Sequence, residues 1–137
     1  MINNRYKTAA AFRKALEDRL QAMAERERLE LQRLRRKVAF NRFLARVFTG
    51  QSGWVLKGGY AMELRLANAR ATRDIDLSYR GGSAAGAKAE NIILELLQKT
   101  ASIDLGDYFT FQIGQLQFKL DTPVYGGARY PVQAAVN

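Results

Sequence analysis

The sequence predicts an α+β fold. Three observations carry that expectation. Apolar residues recur at helical spacing through the first 48 positions, β-type runs gather from Tyr108 onward, and the 137-residue chain is 47% hydrophobic. Grouped runs of helices and strands, rather than strict alternation, are the α+β pattern. One domain is the natural size for this length, and such a chain buries roughly two-thirds of its unfolded surface. Two prolines and 26% charged residues set it apart from a disordered chain.

Residues 8–26 read as an amphipathic helix, with Phe12, Leu16, Leu20 and Met23 on one stripe. Thr8 is its expected N-cap, because its hydroxyl can accept a free backbone N–H. A second helix runs from about 29 to 48. Leu31, Leu34 and Val38 begin its stripe, and Phe40, Leu44 and Val47 continue it. Arg33, Arg35, Arg36, Lys37, Arg42 and Arg46 cover much of the rest, and Gly50 is the expected stop. Trp54-Val55-Leu56 is a short strand running into Lys57-Gly58-Gly59, and Tyr60 to Leu66 is helical, with Met62 and Leu66 on one side. After a loop at 68–72, Asp74 to Tyr79 alternates with period two and reads as a strand. Residues 84–101 form a third helix, with Ile92, Leu96 and Leu97 as expected core. Runs at 108–113, 116–120 and 130–136 read as strands, with a turn-rich stretch from Pro123 to Gly127. A strand that ends the sequence at Asn137 without a capping element reads as a C-terminal truncation.

Composition removes whole classes of chemistry. There is no cysteine, so disulfides, thiolate zinc sites and cysteine nucleophiles are excluded. There is no histidine, so Ser-His triads and imidazole ligands are excluded too. No apolar run approaches the ~18 residues of a membrane span. The N-terminus lacks a secretory signal, so a cytoplasmic protein without a membrane partner is expected. The net charge of +9 is lopsided. Residues 1–48 hold 13 Lys and Arg against 5 Asp and Glu, a net of +8, whereas residues 49–137 hold 9 against 8, a net of +1. A basic surface attracts phosphate polymers. A solvated helix face, or a dock for an acidic partner, would have the same composition.

The chemistry-bearing residues lie in the second part. Asp74 and Asp76 stand in an otherwise apolar strand pattern, where carboxylates are costly unless paired or metal-bound. Alternation puts them on one face, about 6–7 Å apart at Cα. Carboxylates so placed suit magnesium, which prefers oxygen ligands and substrate phosphates, and two such ions can serve phosphoryl or nucleotidyl transfer. Gly58 and Gly59 lie between a strand and a helix. A glycine turn there lets the backbone approach a phosphate, and free N–H groups around Tyr60 and Ala61 aim a positive dipole end at it. Lys57, Arg70 and Arg73 could add charge toward a triphosphate, and Thr72 a hydroxyl. The spacing is neither a Walker loop nor a dinucleotide fingerprint. A tight turn beside a polar edge strand is the plainer alternative.

Lys57-Gly58-Gly59-Tyr60-Ala61-Met62-Glu63-Leu64, followed by Arg70-Ala71-Thr72-Arg73-Asp74-Ile75-Asp76-Leu77, resembles the AbiEii/AbiGii toxin family. That is a DNA polymerase β-like nucleotidyltransferase family which includes the MenT toxins, and the resemblance covers about residues 8–137. It implies a small mixed β-sheet nucleotidyltransferase core with flanking helices at 51–137, after a basic helical N-terminal part at 1–50. It implies that Asp74 and Asp76 are catalytic metal ligands for two Mg2+ ions. It also implies that Gly58 and Gly59 cradle phosphate, and that Lys57, Arg70, Thr72 and Arg73 surround the nucleotide. An NTP substrate, an RNA acceptor such as a tRNA 3′ end, and a cognate antitoxin follow from the same resemblance. The superfamily's third carboxylate is expected beyond Asn137. Asp121 precedes a turn, and Asp104 and Asp107 lie in a loop. Three other readings stand beside it: a catalytically incomplete or inactive nucleotidyltransferase-fold module that binds nucleic acid or an antitoxin through its basic helices, a transferase acting on a small-molecule hydroxyl, and a metal-dependent nuclease. The last leaves the glycine turn without a role.

Overall fold

A computed structural model describes residues 5–50, 53–65, 73–80, 87–115, 118–120 and 127–137. Helix α1 (Ala9–Glu27) starts at the predicted cap: Thr8 is extended, and its Oγ1 accepts the Ala11 N–H at 3.1 Å. It ends at Arg28, which turns left-handed at φ 54° so that its N–H and that of Leu29 both reach the Ala24 carbonyl. Thr8→Ala therefore removes a real cap. We expect a loss of about 1 kcal/mol, read as a lower thermal midpoint in circular dichroism. The stripe of Phe12, Leu16, Leu20 and Met23 is the less exposed face, with Leu20 buried.

Helix α2 (Leu31–Gly50) runs two residues past the expected end and includes Gly50. Leu34, Phe43, Leu44 and Val47 are buried along it. Arg35 joins it to α1 by a forked pair with Glu17, at 2.9 Å from Nε and 2.6 Å from Nη2. That bond, aided by the Arg35 charge, holds the Glu17 carboxyl below its ordinary value despite some opposing desolvation. Arg46 corrects the expectation of a basic outer coat. It is fully buried, paired with Asp107.

Strand β1 (Trp54–Lys57) passes directly into helix α3 (Gly58–Arg65), which begins two residues before the predicted start. Strand β2 (Asp76–Tyr79) returns antiparallel to β1, in the register Trp54↔Tyr79, Leu56↔Leu77 and Lys57↔Asp76. Asp74 is thus not on the strand. It lies in a bend, because β1 ends at Lys57 and offers no ladder partner beyond Asp76. Helix α4 (Ala87–Ala101) packs inward through Ile93, Leu96 and Leu97. Ile92 was expected in the core but is 42% exposed. The inward row is 93, 96, 97, 100 and 101, and Ile92 sits about 100° around the helix from Ile93.

Strand β3 (Phe109–Ile113) alternates cleanly, with Phe109 and Phe111 buried and Thr110 and Gln112 exposed. Strand β4 (Phe118–Leu120) pairs with β5 (Gly127–Arg129), and β3 pairs with β6 (Val132–Val136); both pairs are antiparallel. The last strand begins at Val132 rather than Tyr130. Pro131 cannot donate to a ladder, and its carbonyl instead accepts the Gly114 N–H at 2.8 Å.

One core joins these parts. Phe43 and Val47 of α2, Trp54 of β1, Ala101 of α4 and Phe109 and Phe111 of β3 form its buried centre. Phe12 and Leu16 of α1, and Ile75, Leu77 and Tyr79 around β2, pack against it. The fold class is the α+β one expected. Among the described residues, no helix is long and apolar enough to cross a membrane.

Candidate active site

The core fixes which way the β1–β2 ribbon faces. Trp54 and Leu56 alternate with Val55 and Lys57, and Trp54 packs its ring on Tyr79 with centroids 4.8 Å apart. Ile75, Leu77 and Tyr79 take the core side of the returning chain, so Asp76 and Ser78 take the other. Lys57 and Asp76 are directly opposed, exposed, and at the end of the ladder where β1 becomes α3.

Gly58 makes that change of direction. Its φ is +74°, a left-handed value that side chains disfavour. A Cβ built on it would lie 2.1 Å from Asp76 Oδ2 and 2.9 Å from Asp76 Cγ. The Asp76 carboxylate is therefore laid against the glycine backbone, where α3 begins. The first N–H groups of a helix have no partners within the helix, and they carry a positive partial charge. Gly59 follows in the first turn, exposed and outside the positive-φ region.

The other predicted site residues divide. Among the described residues, the side chains of Asp76 and Lys57 have no hydrogen-bond or ion-pair partner. Asp74 is 59% exposed and lies 3.9 Å from Arg129 of β5, which is itself half-exposed. Arg73 is exposed beside it. Arg70 and Thr72 lie outside the described residues, as does Asp121. Asp104 accepts the Gly106 N–H at 2.8 Å, and Asp107 is taken up by Arg46 and Arg42. Among the described residues no three acidic side chains gather into a cluster.

Two contributors escaped the sequence reading. Arg129 reaches Asp74 from a strand 55 positions later, and nothing local in the sequence signals that approach. Tyr60 follows the glycine pair directly. It is fully buried, and its hydroxyl donates to Asn41 Oδ1 of α2 at 2.5 Å. An aromatic residue in the first turn of a short helix was a readable hint of an anchor.

A strand, a glycine turn, a helix N-terminus and a returning strand with an acid laid on that turn make a framework suited to binding phosphate groups. Residues 42–136 match the family described as nucleotidyl transferase AbiEii toxin, type IV toxin–antitoxin system, and the chain belongs to that family. The match starts within α2 and takes in every described element from β1 to β6. No curated protein sequence matches the chain.

Proposed function

We propose that this chain is the core of an enzyme that transfers a nucleotide from an NTP to a hydroxyl of RNA, with a tRNA 3′ end as the leading acceptor. The acceptor oxygen bonds to the α-phosphorus, the bond to the β-phosphate oxygen breaks, pyrophosphate leaves, and the hydroxyl proton passes to solvent. The observation that carries this reading is the Asp76 carboxylate pressed on Gly58 at the start of α3. A carboxylate and a triphosphate at the same helix end repel each other unless a cation lies between them. The residues present suit that cation: Asp76 offers a hard oxygen donor on a turn that admits phosphate, and Asp74, in the bend two residues before it, offers a second. Magnesium held by them would neutralise charge developing on the phosphates.

The chain's own groups do the rest. The first N–H groups of α3 orient phosphate oxygens, and Lys57, opposite Asp76, adds a mobile positive charge. Arg70, Thr72 and Arg73 are assigned to the nucleotide's surroundings, on the strength of the motif they share with Asp74 and Asp76. Residues 1–50 serve as a basic helical part beside a nucleotidyltransferase core at 51–137. On that part Arg13, Lys14, Arg19, Arg28 and Lys37 are exposed and suited to RNA phosphates. Arg35 and Arg42 are not free for that role, since they pair with Glu17 and Asp107. A cognate antitoxin and a cytoplasmic setting complete the proposal.

Incubation with labelled NTP, magnesium and tRNA tests it. The wild type should label RNA, and Asp74→Ala/Asp76→Ala should reduce labelling by at least about 100-fold. Equal labelling by both proteins would remove the acid pair from the mechanism. Labelling of a small hydroxyl compound instead of tRNA would change the acceptor.

A further inference from the structure

Helix α3 has eight residues and little apolar hold on the fold. Only Tyr60 and Glu63 are buried along it, while Met62 and Leu64 are about half exposed. A helix this short does not stand alone in water, so its seat determines its position. Besides the β1–β2 ribbon that it springs from and touches, that seat is one row of α2. The Tyr60 hydroxyl donates to Asn41 Oδ1 and lies 3.4 Å from the Lys37 carbonyl, and its ring meets Phe40 edge-on at 4.9 Å. One turn further along, Glu63 faces Arg33 at 3.9 Å. Arg33, Lys37 and Asn41 are spaced four apart, and Tyr60 and Glu63 three apart, so each set shares a face. Of the two anchors, the phenol is nearer the glycine turn. Burial, and to a smaller extent the Glu63 carboxylate, push that phenol up to about 12.

We propose that the Tyr60–Asn41 hydrogen bond is a positioning contact. It pins the first turn of α3 to α2, and so holds Gly58 and the helix N–H groups against Asp76 in the arrangement that receives a triphosphate. Neither residue touches the nucleotide. The inference rests on reading the glycine turn as a phosphate cradle.

Calorimetric titration of the chain with tripolyphosphate and magnesium, and with each of the four NTPs and magnesium, tests it. Tyr60→Phe and Asn41→Ala should each weaken binding by about tenfold, the scale of one net hydrogen bond. The double variant should bind no worse than the weaker single, because both remove the same bond. In transfer assays KM for the NTP should rise with kcat retained. Arg35→Gln, which breaks the α1–α2 pair, should lower the thermal midpoint and leave binding unchanged. Asn41 is at the solvent edge, so Asn41→Ala decides the matter if Tyr60→Phe fails to fold. Wild-type affinity in the Tyr60 and Asn41 variants, alongside lost binding in Gly58→Ala, overturns the positioning role alone. A wild type that binds none of these probes overturns the cradle, and the positioning role with it.

Discussion

Gly58→Ala should abolish NTP binding and reduce nucleotide transfer by at least about 100-fold, the largest functional loss expected of any single methyl group in this chain. Two costs combine at that position. The backbone stands at φ +74°, where an L side chain costs about 1–2 kcal/mol. The added carbon would also fall 2.1 Å from Asp76 Oδ2, 2.9 Å from Cγ and 3.1 Å from Cβ. The carboxylate is the flexible end of its side chain and can swing aside, so the fold survives. The swing, however, takes Asp76 away from the turn, and a glycine that moves instead takes the turn away from Asp76. Either response separates the two groups on which the proposed chemistry depends. A second variant separates this account from simple misfolding. In Gly58→Ala/Asp76→Ala the clash with Oδ2 and Cγ is gone, so the thermal midpoint should recover part of its loss while transfer stays absent. Gly59→Ala makes the contrast. That residue is in the first helical turn, without a positive φ, so its fold should persist. Any loss of NTP affinity there then reports how closely phosphate approaches the backbone. Gly58→Ala with wild-type affinity for every NTP would remove the cradle.

The sequence carried the local facts well, because they are local. Thr8 caps α1 through a bond spanning three residues, and the alternation of Phe109 to Ile113 is visible in five letters. Gly58 and Asp76 stood out by residue type. What periodicity could not supply was register. Only the pairing Lys57↔Asp76 tells that Asp76, rather than Asp74, lies on the glycine turn. Asp74 sits in a bend because β1 has already ended, a fact about the partner strand and not about Asp74. Ile92 and Ile93 are indistinguishable by composition, and the roll of α4 on the core chooses between them. Long-range polar contacts were the least legible. Tyr60 and Asn41 are 19 positions apart, and Arg46 and Asp107 are 61 apart. Helical spacing could only count Arg46 among the charges of a basic face.

Arg46→Ala should destabilise the protein by about 3–5 kcal/mol, a large share of the 5–15 kcal/mol that holds a typical domain together. Arg46 is fully buried and makes five hydrogen bonds. Its Nη1 and Nη2 fork onto Asp107 at 2.9 and 2.7 Å, its Nε and Nη2 reach the carbonyls of Ile103 and Phe109, and Nη1 also reaches that of Arg42. The guanidinium also lies 4.8 Å from the centre of the Phe111 ring. One side chain thus ties α2 to the loop after α4 and to β3. Its removal leaves a buried carboxylate with only Arg42 at 3.3 Å and the Phe109 N–H at 3.1 Å, and it opens a cavity as well. Lysine should not rescue it, because an ammonium cannot reproduce the fork. Replacing both partners with apolar residues, as in Arg46→Met/Asp107→Leu, should restore much of the loss by removing the unpaired charge. The pair also sets an acid limit. Burial alone would raise the Asp107 carboxyl, but the Arg46 hydrogen bonds, the Phe109 N–H and the charges of Arg46 and Arg42 together hold it below its ordinary value. Its folded value is thus lower than its unfolded one. The stabilisation is complete above the ordinary carboxylate range and falls away as pH drops through the folded value, below about 4. Urea titrations from pH 7 to pH 2 should show that decline in the wild type and a flatter profile in Asp107→Asn. Equal stability of Arg46→Ala and wild type at pH 7 would mean that the buried pair is not the joint between α2 and β3.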